Sequence, residues 1–395
     1  MDGQEPGTEG EKQMNRWIVG IFAMVLGTLP MAAQSIEDLN IQIHGYATQG
    51  FVYSTQNNWN SMTSSNGSPA WTEAVVNVTT QPEPKLRVGV QARYFLLGNY
   101  GNAIALDWAD ADYKVNEKFG VRFGKVKTPE GMFNMIQDID PAYIWSILPQ
   151  GIYEVATRTS ILSHYGGVVY GTLRLPSKAG SMDYRVWDGE RIIASNDPLL
   201  LPFAANGILF PSGQSGNMYG GTLQWHTPVQ GLMLGVSESQ NHQGGTATLG
   251  PFTGNGTVKP FQIPFYYGQY ERSKFTAIGE YMRLPPNYTF TFTNGPTIPV
   301  VLDIRNWYLM STYKLTEKLT GGVYYASSFN LQAPLGPARY QKDWTLSARY
   351  DVSQYIYLKA EQHFVDGMQI GFSPVGNSTL NPQSKLTILK VGVSF

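Results

Sequence analysis

The sequence predicts an all-β fold: a transmembrane antiparallel β-barrel of about sixteen strands, with a long loop folded inward between strands 5 and 6. Three observations predict it. Charged residues make up 14% of the chain and aromatics 13%, whereas ordinary soluble domains carry roughly 25% charged residues. No apolar run reaches the roughly 20 residues that a membrane helix needs. From Ile41 onward the chain instead breaks into period-2 segments of about 9 to 14 residues, long enough for a tilted strand to cross a bilayer.

The first segment in the chain is not a strand. Asn15 and Arg16 precede an apolar run from Trp17 to Leu29, followed by Pro30, Ala32 and Ala33. A basic start, a short apolar centre and a small-residue exit describe a secretory signal peptide. Residues 1–33 are read as that peptide, with residues 1–13 a non-native leader, so that Met1 and Met14 both stay open as the start. Residues 34–395 then form a single barrel domain.

Five strands come first: Ile41 to Ser54, Trp71 to Thr80, Lys85 to Leu96, Ala103 to Tyr113 and Phe119 to Lys127. The third alternates clearly, with Leu86, Val88, Val90, Ala92 and Tyr94 on one face and Arg87, Gln91 and Arg93 on the other. After the long loop come His164 to Leu175, Ser181 to Asp188, Asn217 to Thr227, Gly231 to Ser239, Phe261 to Glu271 and Lys274 to Leu284. The last five are Val300 to Leu315, Lys318 to Phe329, Arg339 to Val352, Gln354 to Val365 and Ser384 to Phe395.

Short connections such as Gln81 to Pro84, Lys114 to Lys118 and the single Ser353 follow even-numbered strands, and the longer loops follow odd ones. With both termini on one side, the tight turns all lie on that side and the long loops on the other. Short turns on one side, long loops on the other and an even strand count mark outer-membrane barrels. A sandwich or a propeller gives no reason for that parity.

Thr128 to Ser163 is the longest break between strands. Loops beyond about 15 residues are functional or disordered, and this one is too apolar for disorder: it holds Met132, Phe133, Met135, Ile136, Tyr143, Trp145 and Tyr153. Such side chains leave water most readily by folding inward against the wall, so residues 128–163 are expected to constrict the lumen. Sixteen strands leave a lumen wide enough for an aqueous channel.

Candidate site residues follow from charge and alternation. The loop carries Glu130, Asp138, Asp140, Glu154 and one base, Arg158. Facing it on the inner wall are Arg87, Arg93, Arg122, Arg174, Arg185, Arg349, Lys359 and Lys390, with the acids Glu280, Glu361 and Asp351. Acids on the loop opposite bases on the wall set a transverse field that selects solutes by size and charge, unless the charges simply pair and pin the loop. Lys125 and Lys127 share parity with Phe123, which leaves the rim open as their place. Trp71, Tyr94, Tyr113, Tyr165, Trp225, Trp307 and Tyr350 read as interfacial girdle aromatics, while Tyr355 and Tyr357 face inward by parity.

No catalytic or cofactor signature is present: there is no H-E-x-x-H, G-x-S-x-G or P-loop. Zero cysteines exclude a disulfide scaffold and a thiolate metal site. The five histidines show no metal-ligand spacing; His164, His226 and His363 read as polar strand residues. A near-neutral net charge excludes a nucleic-acid partner.

Two stretches carry a family resemblance. The final strand alternates Thr387, Leu389, Val391, Val393 and Phe395 with Ile388, Lys390, Gly392 and Ser394, and resembles the C-terminal strand of Gram-negative outer-membrane proteins. Val121 to Phe133, VRFGKVKTPEGMF, resembles the junction of strand 5 and the third external loop in phosphate-selective porin-like members of the porin superfamily. The resemblance implies a bacterial outer-membrane channel, surrounded by outer-membrane lipid, that passes small hydrophilic solutes by passive diffusion and assembles as a homotrimer. True phosphate selectivity would imply a run of inner-wall lysines and arginines, which this chain lacks. A barrel plugged by the loop, acting as a receptor or adhesin, is the alternative. An outer-membrane esterase is a third reading, opposed by the parity of His226.

Overall fold

The computed structural model describes residues 40–372 and 376–395. The signal-peptide reading of residues 1–33 lies outside them. Sixteen antiparallel strands close on themselves. In chain order they are β1 Gln42–Ser54, β2 Ser68–Glu83, β3 Leu86–Leu97, β4 Tyr100–Asn116, β5 Phe119–Lys127, β6 Ser163–Arg174, β7 Ser181–Ile193 and β8 Gln214–His226. Then come β9 Leu232–Asn241, β10 Phe261–Arg272, β11 Phe275–Leu284, β12 Ile304–Lys314, β13 Leu319–Asn330, β14 Tyr340–Asp351, β15 Ile356–Gly367 and β16 Gln383–Ser394.

Each strand pairs with its neighbours in sequence, and β16 returns to β1 with Tyr46 opposite Ser394. Gly45 and Phe395 exchange two main-chain hydrogen bonds of 3.0 Å at that seam. Closure leaves no unpaired edge, which is what β-structure needs to stand in lipid.

Alternation sets the two faces of the wall. On β12, Trp307, Leu309 and Tyr313 are exposed outward, Leu309 by 60%, while Tyr308 and Met310 are buried inward. On β16, Leu389, Val391 and Val393 point out and Ile388 and Lys390 point in. An apolar outer surface this extensive is unusual for a soluble monomer and suits a hydrocarbon surround.

A β-bulge breaks the alternation on β4. Between β3 and β4 the register steps from Gln91–Trp108 to Ala92–Leu106, leaving Asp107 without an opposite residue. Asp107 and Trp108 are consecutive, yet both are buried inside. A bulge re-aims side chains in this way.

Three outer connections carry strands of their own. The short strands Ile208–Leu209, Gly244–Leu249, Phe252–Val258, Asn287–Phe292 and Thr297–Val301 pair into a small extra sheet above the barrel rim. Its core holds Phe203, Phe210, Phe290 and Phe292. The expected single strand from Val300 is therefore two. Leu302 donates its N–H to the Pro286 carbonyl, and Asp303 takes up Arg283 at 2.8 Å and Arg305 at 3.6 Å, so β12 starts afresh at Ile304.

Candidate functional site

Residues 128–162 run from β5 to β6 as 3-10 turns at Asp140–Ala142 and Val155–Thr157 and a helical turn, Arg158–Ile161. They bond to inward-facing side chains around the wall. The first contact is a tight turn at Pro129, Glu130 and Gly131, where Gly131 has φ +66°. A Cβ there would lie 2.6 Å from both Glu280 Oε1 and Tyr153 Oη, so only glycine fits. The Gly131 N–H donates to Ser237 Oγ at 2.9 Å and the Met132 N–H to Glu280 Oε1 at 2.8 Å.

Four of the five charged insert residues form ion pairs. Glu130 lies 3.3 Å from Arg191 of β7 and accepts from Ser239 of β9 at 3.0 Å. Asp138, fully buried, lies 2.7 Å from Lys127 and accepts from Gln91 at 2.9 Å and the Trp108 indole at 3.3 Å. Asp140 holds Lys359 at 3.0 Å and Lys390 at 2.9 Å and accepts from Tyr357 at 2.8 Å. Arg158 lies 2.6 Å from Glu73 and 3.3 Å from Asp107, and Arg93 donates to Thr159 at 2.7 Å.

Further bonds run from the wall to the insert's main chain. Glu361 accepts from the Ser146 and Ile147 N–H groups at 2.6 and 3.3 Å. Arg349 donates to the Tyr143 carbonyl at 3.2 Å. Glu280 also accepts from Tyr153 at 2.8 Å and Tyr308 at 2.7 Å. Thr222 of β8 donates to the Pro129 carbonyl, Tyr46 of β1 to that of Asp138, and Thr128 shares a hydrogen bond with His164 of β6.

Apolar packing supplies the rest. Phe133, Trp145, Leu148, Ile152 and Tyr153 pack on Phe265 of β10, Tyr308 of β12 and Tyr324 of β13. Trp145 meets Tyr324 edge-on at 5.0 Å, and a Cβ on Gly322 would strike it at 2.7 Å. Ile147 and Ala156 pack on the opposite side, against Trp71, Phe95 and Ile388. By hydrogen bond, ion pair or packing, the insert touches each of the sixteen strands.

Chains of this architecture are known. No protein-family model matches the sequence, and no curated protein matches it. Among solved structures, OmpF of Salmonella typhi, in complex with daunomycin, superposes over 92% of this chain and 99% of its own, with a TM-score of 0.56 at 13% identity. OmpT of Vibrio cholerae matches over 93% and 100%, with a TM-score of 0.54 at 13% identity. The outer-membrane channel DcaP of Acinetobacter baumannii matches over 92% and 99%, with a TM-score of 0.51 at 10% identity. The chain has the outer-membrane porin fold.

Within this porin barrel the wall residues separate into two groups. Arg93, Arg349, Lys359, Lys390, Glu280 and Glu361 all touch the insert. Arg87 and Arg122 sit nearer the tight turns and pair with Asp110 and Asp112 at 2.8 Å, while Arg185 donates to Gln224 at 2.7 Å. Arg174 departs from its expected place in the lumen: it shares the inward parity but stands at the strand's end, 84% exposed beside Glu117.

The expected field of opposed free charges is replaced by direct pairing for Glu130, Asp138, Asp140 and Arg158. Glu154 differs. It is half-buried, and its carboxylate has no hydrogen-bond or ion-pair partner among the described residues. Burial pushes it up to about 7, and the neighbouring Asp197 adds to the rise.

Other expectations are corrected by register. Lys127 reaches the buried Asp138 instead of the rim, whereas Lys125 rests on the Leu106 carbonyl and the Tyr165 ring. Trp71 is no girdle residue: it is buried inside, with Lys390 over its ring at 4.1 Å. Tyr357 points in, but Tyr355 lies exposed in the turn before β15. Among the partners of the insert absent from the sequence reading are Tyr46, Glu73, Asp107 and Arg191. Arg191 continues the alternation Arg185, Trp187, Gly189 past Asp188, a signal that was there to be read.

Proposed function

We propose that the chain is a bacterial outer-membrane channel, exported through a cleaved signal peptide, that passes small hydrophilic solutes or ions by passive diffusion. The insert, residues 128–162, narrows the passage. Glu130, Asp138, Asp140 and Arg158 hold it in place, and Glu154 presents charge to the solute. Arg87, Arg122 and Arg185, with Asp110 and Asp112, line the polar chamber on the turn side. A homotrimer is the assembly expected of such a barrel.

One observation carries this reading: the insert is tied to the wall on every side at mid-barrel. The test is planar-bilayer recording of purified, folded protein. Stepwise ion conductance is the expected result, and its absence in protein of verified barrel fold would overturn the reading. The same observation favours one other reading, a barrel sealed by the insert that acts as a receptor or adhesin. Such a barrel would give no steps until the insert is removed.

A further inference from the structure

Between the insert and the outer sheet lies a cavity of about 860 Å³, a size typical of small-molecule sites, which span roughly 300–1,000 Å³. Its walls are largely apolar: Phe203, Phe261, Ile263, Tyr288, Val300 and Leu302. Such a lining suits a molecule with an apolar body.

Two polar side chains of the cavity share one character. Asn306 and Ser328 line it and are almost wholly buried, at 1% and 3% exposure. The Asn306 Oδ1 and the Ser328 Oγ have no hydrogen-bond partner. A buried polar atom left unmet costs about 1–3 kcal/mol, so the Asn306 Oδ1 is poised for a donor from a ligand, and the Ser328 hydroxyl can accept one as well as donate. Glu154 adds a carboxylate with no base bound to it. The guanidinium in the lining, Arg191, pairs with Glu130 through one terminal nitrogen and leaves its Nε–H without a hydrogen-bond partner.

We propose that this cavity binds an amphipathic amine: an organic ammonium group on an apolar body, the cation set by Glu154 and the donors shared with Asn306 and Ser328. An ammonium brings three donors and no acceptor, which matches the Glu154 carboxylate and the unmet Asn306 Oδ1 and Ser328 Oγ. A carboxylate of the same shape would meet Glu154 as a like charge. The proposal does not depend on the channel reading, since binding here requires no passage.

The test uses the full chain in lipid nanodiscs, titrated calorimetrically with octylammonium, octanol and octanoate, with empty nanodiscs as the blank. The expected result is saturable one-site binding of octylammonium, at least about tenfold tighter than octanoate, as opposed charge pairing predicts. Glu154→Gln should bring octylammonium to the affinity of octanol and leave octanol unchanged. Val300→Trp, on the outer sheet and away from the insert, should weaken all three ligands by filling the cavity. Uptake no greater than in empty nanodiscs overturns the proposal, as does octanoate binding equal to octylammonium or an amine preference that survives Glu154→Gln. Conductance recorded on the same preparation separates the two ideas: conductance without binding overturns this one, and binding without conductance overturns the channel.

Discussion

Asp140 Oδ1 lies 2.9 Å from Lys390 Nζ, although 250 positions separate the two residues in the chain. Lys359 reaches the other oxygen of the same carboxylate at 3.0 Å. Two buried ammonium groups therefore depend on one acid. Their other hydrogen bonds go to carbonyls of the insert: Asp140 and Trp145 for Lys359, and Ser146 for Lys390, whose ammonium also lies over the Trp71 ring.

Asp140→Asn should loosen the insert. Removing one partner from a buried ion pair costs about 3–5 kcal/mol, and here the change leaves two like charges facing each other. The folded barrel should unfold at lower urea, and the insert should become a protease target. Replacing Lys359 and Lys390 with Met in the same background should recover much of the loss. An Asp140→Asn barrel with the wild-type urea midpoint would remove this residue from the tether.

Glu130 and Arg191 offer a test of coupling. They are 3.3 Å apart with little solvent access. A double-mutant cycle with Glu130→Gln and Arg191→Met should give an interaction of about 0.5–3 kcal/mol, the range for contacting residues. Additive effects on the urea midpoint would mean that the pair does not hold the insert's first turn.

Replacing residues 132–157 with a short Gly-Ser linker tests the insert as a whole. A sixteen-stranded wall without an interior obstruction encloses an aqueous channel. Single-channel conductance should rise at least about twofold, as a wider lumen requires. If the step size stays at the wild-type value, the insert does not set the passage.

The acidity of Glu154 gives a pH dependence of known sign. Its carboxyl is raised to about 7 by burial and by Asp197, so it is neutral below that pH and anionic above it. Octylammonium stays protonated throughout, because amines titrate near 10. Affinity for it should therefore increase as pH rises from about 6 to about 8. In Glu154→Gln the profile should be flat. A wild-type profile that is flat, or that falls with pH, would place the effective charge elsewhere.

The barrel was legible because its signal is repetitive. Alternation and loop parity recur across every strand, so errors of a few residues, as at the end of β7, do not disturb the count. The site was less legible, because each ion pair joins distant parts of the chain. Alternation puts Lys359 and Lys390 on the inner face but does not say that Asp140 stands between them. Asp107 could not be placed at all by a period of two, since the bulge sends it and Trp108 to the same side. Trp71 was misread because an aromatic near a strand end suits either face; only its shared parity with the inward Glu73 separates the two. The outer sheet was missed because its strands are short and rich in Gly, Thr and Pro.

The wiring of Asp140 also has a consequence for assembly. Its two lysines sit on β15 and β16, so the acid has no countercharge until the end of the chain has taken its place. Contacts this distant in sequence form slowly. During biogenesis a partly zipped wall would hold an insert already bound to β3 through β5 but free on its far side. The last strand then finishes two tasks at once, sealing the seam against β1 and fixing the insert to the wall on that side. A folding intermediate with its seam still open would accordingly leave the insert untied on its β15 and β16 side.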